Sequence, residues 1–137
     1  MPNVSGVLET ALYVDDLQRA TRFYQTLFGF AILFADERAC AMSIAGRQVL
    51  LLFKKGASTD PIEMPGGTIP PHDGSGNLHM AFSIDASELE NWEKWLPQSG
   101  VTIESKIKWQ AGGYSLYFRD PDGHVIELVT PGCWAIY

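Results

Sequence analysis

Cysteine is scarce. Cys40 and Cys133 are the only two in 137 residues, and they show neither the spacing of a thiolate metal site nor the number a disulfide framework needs. Basic charge is short as well. Ten Lys and Arg stand against 16 Asp and Glu, a formal net charge of −6, whereas gripping a phosphate backbone takes clustered cations. Nucleic acid is therefore not an expected partner. No uninterrupted apolar run approaches the roughly 20 residues that cross a bilayer, and Met1-Pro2-Asn3-Val4-Ser5-Gly6 has neither the basic start nor the apolar block of an export signal. These absences lead us to expect a cytoplasmic protein with reduced cysteines and no membrane partner. What is present is ordinary globular material, 46% apolar and 19% charged, enough for one domain that withdraws roughly 70% of its unfolded surface from water.

Periodicity organises the chain. Val7 to Val14 alternates as a strand, with Leu8, Leu12 and Val14 on one face and Glu9, Ala11 and Tyr13 on the other. Asp15-Asp16 offers a helix cap, Leu17, Ala20, Phe23, Tyr24 and Leu27 recur at helical spacing, and Gly29 stands where a left-handed terminator belongs. Strands are predicted at Phe30 to Phe34, Ala39 to Ile44 and Gln48 to Phe53. From Lys54 to Asn77 the chain carries five Gly and four Pro and reads as a linker or ordered loop. The first pattern then returns. Leu78 to Ile84 is a strand, and Asp85 or Ser87 is expected to cap a helix that buries Leu89, Trp92, Trp95 and Leu96. Pro97 should end or kink that helix. Further strands are expected at Val101 to Ser105, Lys106 to Trp109, Ser115 to Arg119 and Val125 to Val129, with Asp120-Pro121-Asp122-Gly123 as a turn.

Each half thus reads strand, helix, three strands. Leu8-Glu9 answers Leu78-His79, Gly29 answers Gly100, and Val49 to Leu52 answers Val125 to Leu128. The expected fold is α+β: two tandem βαβββ modules, 5–55 and 77–131, joined by a Gly/Pro-rich loop 56–76 within a single domain 1–137. Neither half buries both faces of its sheet alone, so the modules should form one cupped mixed sheet with helices outside. Three polar residues then break the strand pattern: Glu9, His79 and Glu127, all on faces opposite the large apolar residues. In such a cup they would converge as one imidazole and two carboxylates, a facial donor set for a divalent metal with positions left open.

The chain resembles the vicinal oxygen chelate superfamily, which includes glyoxalases, bleomycin-resistance proteins and extradiol dioxygenases. The resemblance rests on Leu12-Tyr13-Val14-Asp15-Asp16-Leu17, Phe23-Tyr24 through Leu27-Phe28-Gly29-Phe30, His79-Met80-Ala81-Phe82, and the specific run Tyr117-Phe118-Arg119-Asp120-Pro121-Asp122-Gly123-His124-Val125-Ile126-Glu127-Leu128. It implies paired βαβββ modules and a metal held from the first strand of each module and the last strand of the second, the positions of Glu9, His79 and Glu127. Members with three such ligands usually carry His where this chain has Glu9. Four-ligand members, the glyoxalase I and epimerase types, coordinate near the position of Leu51, which cannot coordinate. Fosfomycin-resistance transferases carry Thr at the position of Ala11 and basic residues beyond the last ligand, whereas Thr130 to Tyr137 has none. Those activities are accordingly not the expected ones. Two carboxylates and a neutral imidazole would cancel the +2 of the ion, which suits oxygen-loving Mn²⁺ or Fe²⁺ better than a tight zinc site; Ni, Co and Zn stay open.

The expected function is a metal-dependent enzyme, lyase-, isomerase- or dioxygenase-like, that chelates a small oxygenated substrate through neighbouring oxygens. The alternative is a metal-free protein that sequesters an antibiotic or other small molecule. His72 could close over the pocket as an acid–base group, while His124 reads as structural. Trp109, Tyr114 and Tyr117, around Gly112-Gly113, are candidate substrate contacts, and so is Tyr13 in the first strand. Arg119 could bind a carboxylate or pair with a neighbouring acid. By analogy with small family members, a homodimer is expected.

Overall fold

Alternating burial along the strands decides which face of each sheet receives a helix. The structure, a computed structural model, describes all of Met1–Tyr137 and divides into two compact units, Met1–Gly76 and Asn77–Tyr137.

The first unit runs β1 (Glu9–Val14), α1 (Leu17–Phe28), β2 (Ala31–Ala35), β3 (Ala39–Ile44) and β4 (Gln48–Lys54). Its sheet has the order β1-β4-β3-β2, with β1 parallel to β4 and the other pairs antiparallel. Leu12, Val14, Met42, Leu50 and Leu52 are at most 2% exposed, and α1 packs over β3 and β4 with Ala20, Tyr24 and Leu27 buried. The helix is bounded as its sequence predicts. The Asp16 carboxylate accepts from the Arg19 N–H at 3.0 Å, and Gly29, in the left-handed region at φ 69°, donates its N–H to the Gln25 carbonyl.

The glycine- and proline-rich stretch departs from the expected loop. It contains a small hairpin, β5 (Ile62–Met64) with β6 (Gly67–Ile69). Strands of three residues turning at Pro65-Gly66 are too short to leave a period in the sequence.

The second unit repeats the first: β7 (His79–Ser83), α2 (Leu89–Gln98), β8 (Ser105–Lys108), β9 (Tyr114–Arg119) and β10 (Val125–Val129), in the order β7-β10-β9-β8 with β7 parallel to β10. The registers agree residue by residue. Glu9 lies opposite Val49 in the first sheet and His79 opposite Val125 in the second. Glu9 is therefore the counterpart of His79, and Leu51 the counterpart of Glu127.

Three local expectations fail here. Residues 101–104 form no strand; instead Glu104 joins the sheet edge through its N–H to the Tyr117 carbonyl at 2.7 Å. Neither Asp85 nor Ser87 caps α2, because a 3-10 turn at Ala86–Glu88 leads directly into it. Trp95 is 43% exposed, so the buried stripe of α2 narrows to Leu96 with half-buried Leu89 and Trp92. No helix is long and apolar enough to cross a membrane.

Candidate metal centre

In the second unit β7, β10 and β9 lie side by side, so every second residue of each strand shares one face. The register sets Glu127 opposite Ala81 on one side and Tyr117 on the other, with His79 one step away opposite Val125. Glu127 and His79 are thus diagonal neighbours on parallel strands. Their heads meet: His79 Nε2 stands 3.3 Å from Glu127 Oε2.

The partners of each ring and carboxylate atom fix what that contact is. His79 Nδ1 lies 3.1 Å from the Val125 carbonyl, which can only accept, so Nδ1 carries a proton and Nε2 is the ring nitrogen turned to Glu127. Glu127 Oε1 accepts from the Ser115 hydroxyl and from the Tyr117 phenol at 3.0 Å. Nε2 of His79 and Oε2 of Glu127 therefore face one another, close enough to share a proton as an ion pair or to hold one cation between them. Two donor atoms each about 2.1 Å from one ion, at an angle near 100°, stand roughly 3.2 Å apart. The observed separation fits a divalent metal, and the hydrogen bond from Nδ1 is the usual means of orienting a histidine ligand.

Glu127 is 6% exposed, whereas the His79 side chain is half open, so the pair is anchored from below and accessible from above. Burial, the hydrogen bond to Glu127 and its charge hold the Tyr117 phenol above its usual range. It remains a donor at neutral pH. Burial, then the Glu127 charge, push the Cys133 thiol up as well, which disfavours its thiolate form.

The other candidates are placed as follows. Trp109 donates its indole N–H to Ser115 Oγ at 2.8 Å. The Tyr114 ring lies beneath the ammonium groups of Lys106 and Lys108. Arg119 forks onto the Glu104 carboxylate at 2.7 and 3.2 Å and also reaches the Gly123 carbonyl. His124 is fully buried and accepts the Leu78 N–H at Nδ1; it holds the end of β7 in place. Ser115 went unnoticed in the sequence, although its parity with Tyr117, opposite a strand carrying Glu127, was the available signal.

In the first unit Glu9 is exposed at the head of β1, on the face it shares with Ala11 and Tyr13. Tyr13 and His72 are brought together: the phenol oxygen is 2.8 Å from His72 Nδ1, and the imidazole stands edge-on to Phe53 with centroids 4.5 Å apart. Neither unit by itself gathers three His, Cys, Asp or Glu side chains in a metal-holding group. A groove of about 400 Å³ beside α1, lined among others by Gln18, Arg22, Asp36 and Cys40, contains none of the candidate residues.

The sequence pattern of the Glyoxalase/Bleomycin resistance protein/Dioxygenase superfamily matches residues 6–128. Among solved structures, the lactoylglutathione lyase of Agrobacterium tumefaciens is 32% identical with a TM-score of 0.88, over 98% of this chain and 99% of that one. Among curated proteins, the metallothiol transferase FosB of Staphylococcus saprophyticus subsp. saprophyticus is 30% identical over 128 residues, 93% of this chain and 78% of the relative. The glutathione transferase FosA of Serratia marcescens is 30% identical over 117 residues, 85% of this chain and 74% of the relative. The departures at Leu51, Ala11 and Thr130 to Tyr137 bear on activity and not on kinship. The chain belongs to the glyoxalase, bleomycin-resistance and dioxygenase superfamily.

Proposed function

We propose that the protein is a divalent-metal-dependent enzyme acting on a small substrate through neighbouring oxygens, with His79 and Glu127 as ligands and Glu9, from the first unit, as the third. The observation that carries this reading is the 3.3 Å approach of His79 Nε2 and Glu127 Oε2, each side chain oriented by hydrogen bonds at its other end. A bound divalent ion would supply Lewis acidity, polarising substrate oxygens and stabilising charge that develops on them. His79 and Glu127 fix where that charge is received, and the half-open imidazole edge leaves room for the substrate. His72 is the proposed acid–base group, its imidazole held by Tyr13 and Phe53. Trp109, Tyr114, Tyr117 and Arg119 remain proposed substrate contacts, with Tyr13 beside His72.

The relatives support a narrower reaction class. A metallothiol transferase, a glutathione transferase and a lactoylglutathione lyase all have thiol-bearing molecules in their names. We therefore favour a thiol, or a thiol adduct of a small oxygenated compound, as one reactant over an oxygenase reaction. A homodimer in a reducing cytoplasm, where the free Cys40 and Cys133 stay thiols, completes the reading.

The test is equilibrium dialysis of the purified chain against Mn²⁺, Co²⁺ and Zn²⁺ followed by elemental analysis. The reading expects a stoichiometric ion in the unaltered chain and its loss in His79→Ala and Glu127→Ala. Metal content unchanged in both variants would remove the coordination set, and no metal under any loading condition would favour the sequestering alternative.

A further inference from the structure

We infer that Ser115, held by the Trp109 indole, is a positioning residue for Glu127, and that this pair sets how tightly the centre holds a divalent cation. The inference rests on the metal reading above. Its basis is a hydrogen-bond chain whose direction is forced. An indole N–H can only donate, so in the 2.8 Å contact from Trp109 Nε1 the Ser115 Oγ accepts, and a carboxylate oxygen can only accept. The single hydroxyl proton is then left for Glu127 Oε1. Tyr117 supplies a second proton to the same oxygen. Ser115 is 0% exposed and Glu127 6%, so water does not replace these partners.

Rotating the carboxylate would break both bonds at once. Oε1 is thereby saturated, and Oε2 alone is directed at His79 Nε2. The network thus selects one carboxylate oxygen for the ion. Its outer end is fixed too. Trp109 belongs to the tight turn between β8 and β9, closed by its N–H to the Gly113 carbonyl at 2.7 Å and by the Gly112 N–H to the Trp109 carbonyl at 2.9 Å. Gly113 in turn lies so close to the backbone after β10 that a Cβ there would stand 2.6 Å from the Pro131 carbonyl. A chain of fixed groups therefore runs from the hairpin turn to the carboxylate.

The test is calorimetric titration of Mn²⁺ into the metal-free full-length chain, for the unaltered protein, Ser115→Ala, Trp109→Phe and the double variant. Loss of an orienting partner of a ligand typically weakens binding about 10–100-fold, which is the loss expected for Ser115→Ala. Trp109→Phe should weaken Mn²⁺ by less, and the double variant should match Ser115→Ala, because the indole acts only through the hydroxyl. Unchanged Mn²⁺ affinity in Ser115→Ala, even with a lowered melting temperature, makes Ser115 merely structural and overturns the inference. Losses that multiply in the double variant overturn the chain of action. Should Ser115→Ala fail to fold, half-buried Trp109→Phe carries the test, and an affinity equal to that of the unaltered chain overturns it. If the unaltered chain binds no Mn²⁺, the metal reading falls and this inference with it; if it binds and the variants bind equally, only this inference falls.

Discussion

Single side chains show how closely the first unit is fitted around His72. A Cβ added at Gly74 would stand 2.3 Å from Tyr13 Cδ2 and 2.6 Å from Cε2, and that ring is stacked on Phe53 and hydrogen-bonded to His72. The ring has nowhere to retreat without surrendering those contacts. Gly74→Ala should therefore cost about 1–3 kcal/mol of stability by overpacking, measured by urea denaturation. Tyr13→Phe keeps the stack and removes only the hydroxyl, so it should cost less, about 0.5–1.5 kcal/mol. An alanine at 74 that leaves the midpoint unmoved would contradict the packing described. Neither Gly74 nor Phe53 was legible as a partner of Tyr13 in the sequence, because the stretch that brings residue 72 back to β1 has no periodicity from which to infer its path.

Among the elements, the hairpins of the first sheet give the clearest cases. Between β3 and β4 the Ile44 carbonyl accepts the Arg47 N–H at 3.0 Å, with Ala45 and Gly46 both at positive φ, 52° and 67°. That is a type I′ turn, which favours Asn-Gly, and an alanine in the left-handed region costs about 1 kcal/mol or more. Ala45→Asn should raise the melting temperature by a few degrees, and a calorimetric scan in which it falls would contradict this turn geometry. Between β2 and β3, burial opposes ionisation of Asp36, but the N–H groups of Arg38 and Ala39 and the Arg38 guanidinium together hold its carboxyl below the usual range. A carboxyl lowered on folding contributes stability that is present above its unfolded value and lost as the pH falls through its folded one. The Asp36 contribution should thus be complete at neutral pH and fade below about pH 4. Asp36→Asn should flatten that part of the stability–pH curve, and identical curves for the two proteins would exclude the effect. Most elements were legible from their runs of apolar residues between turn residues: β3 and β10 match their expected limits residue for residue. The misses share one cause. The strand expected at Val101 to Ser105, the α2 cap and the β5–β6 hairpin all lie where backbone bonding, not side-chain period, decides the conformation.

For the molecule as a whole, the repeat was the most informative property of the sequence. It aligned Glu9 with His79 before any coordinates, and the two registers place them as counterparts. Glu127 drew notice as a charge on a strand face, whereas Ser115 was passed over, since a serine among apolar strand residues carries no mark of its role until the strand beside it is known. Ile32, Leu33 and Phe34 stand 42–61% exposed on the edge strand β2, and a contiguous apolar edge of this kind is usually covered by another chain. Light scattering should accordingly give a solution mass twice the 15.2 kDa of the chain, and a monomer at all concentrations would contradict the proposed homodimer. The central claim, however, concerns one imidazole and one carboxylate sharing an ion. Pulsed electron paramagnetic resonance of the Mn²⁺-loaded, ¹⁵N-histidine-labelled protein tests it most directly. The account predicts coupling to a single imidazole nitrogen that disappears in His79→Ala; no nitrogen coupling, or a signal that survives the substitution, would contradict it.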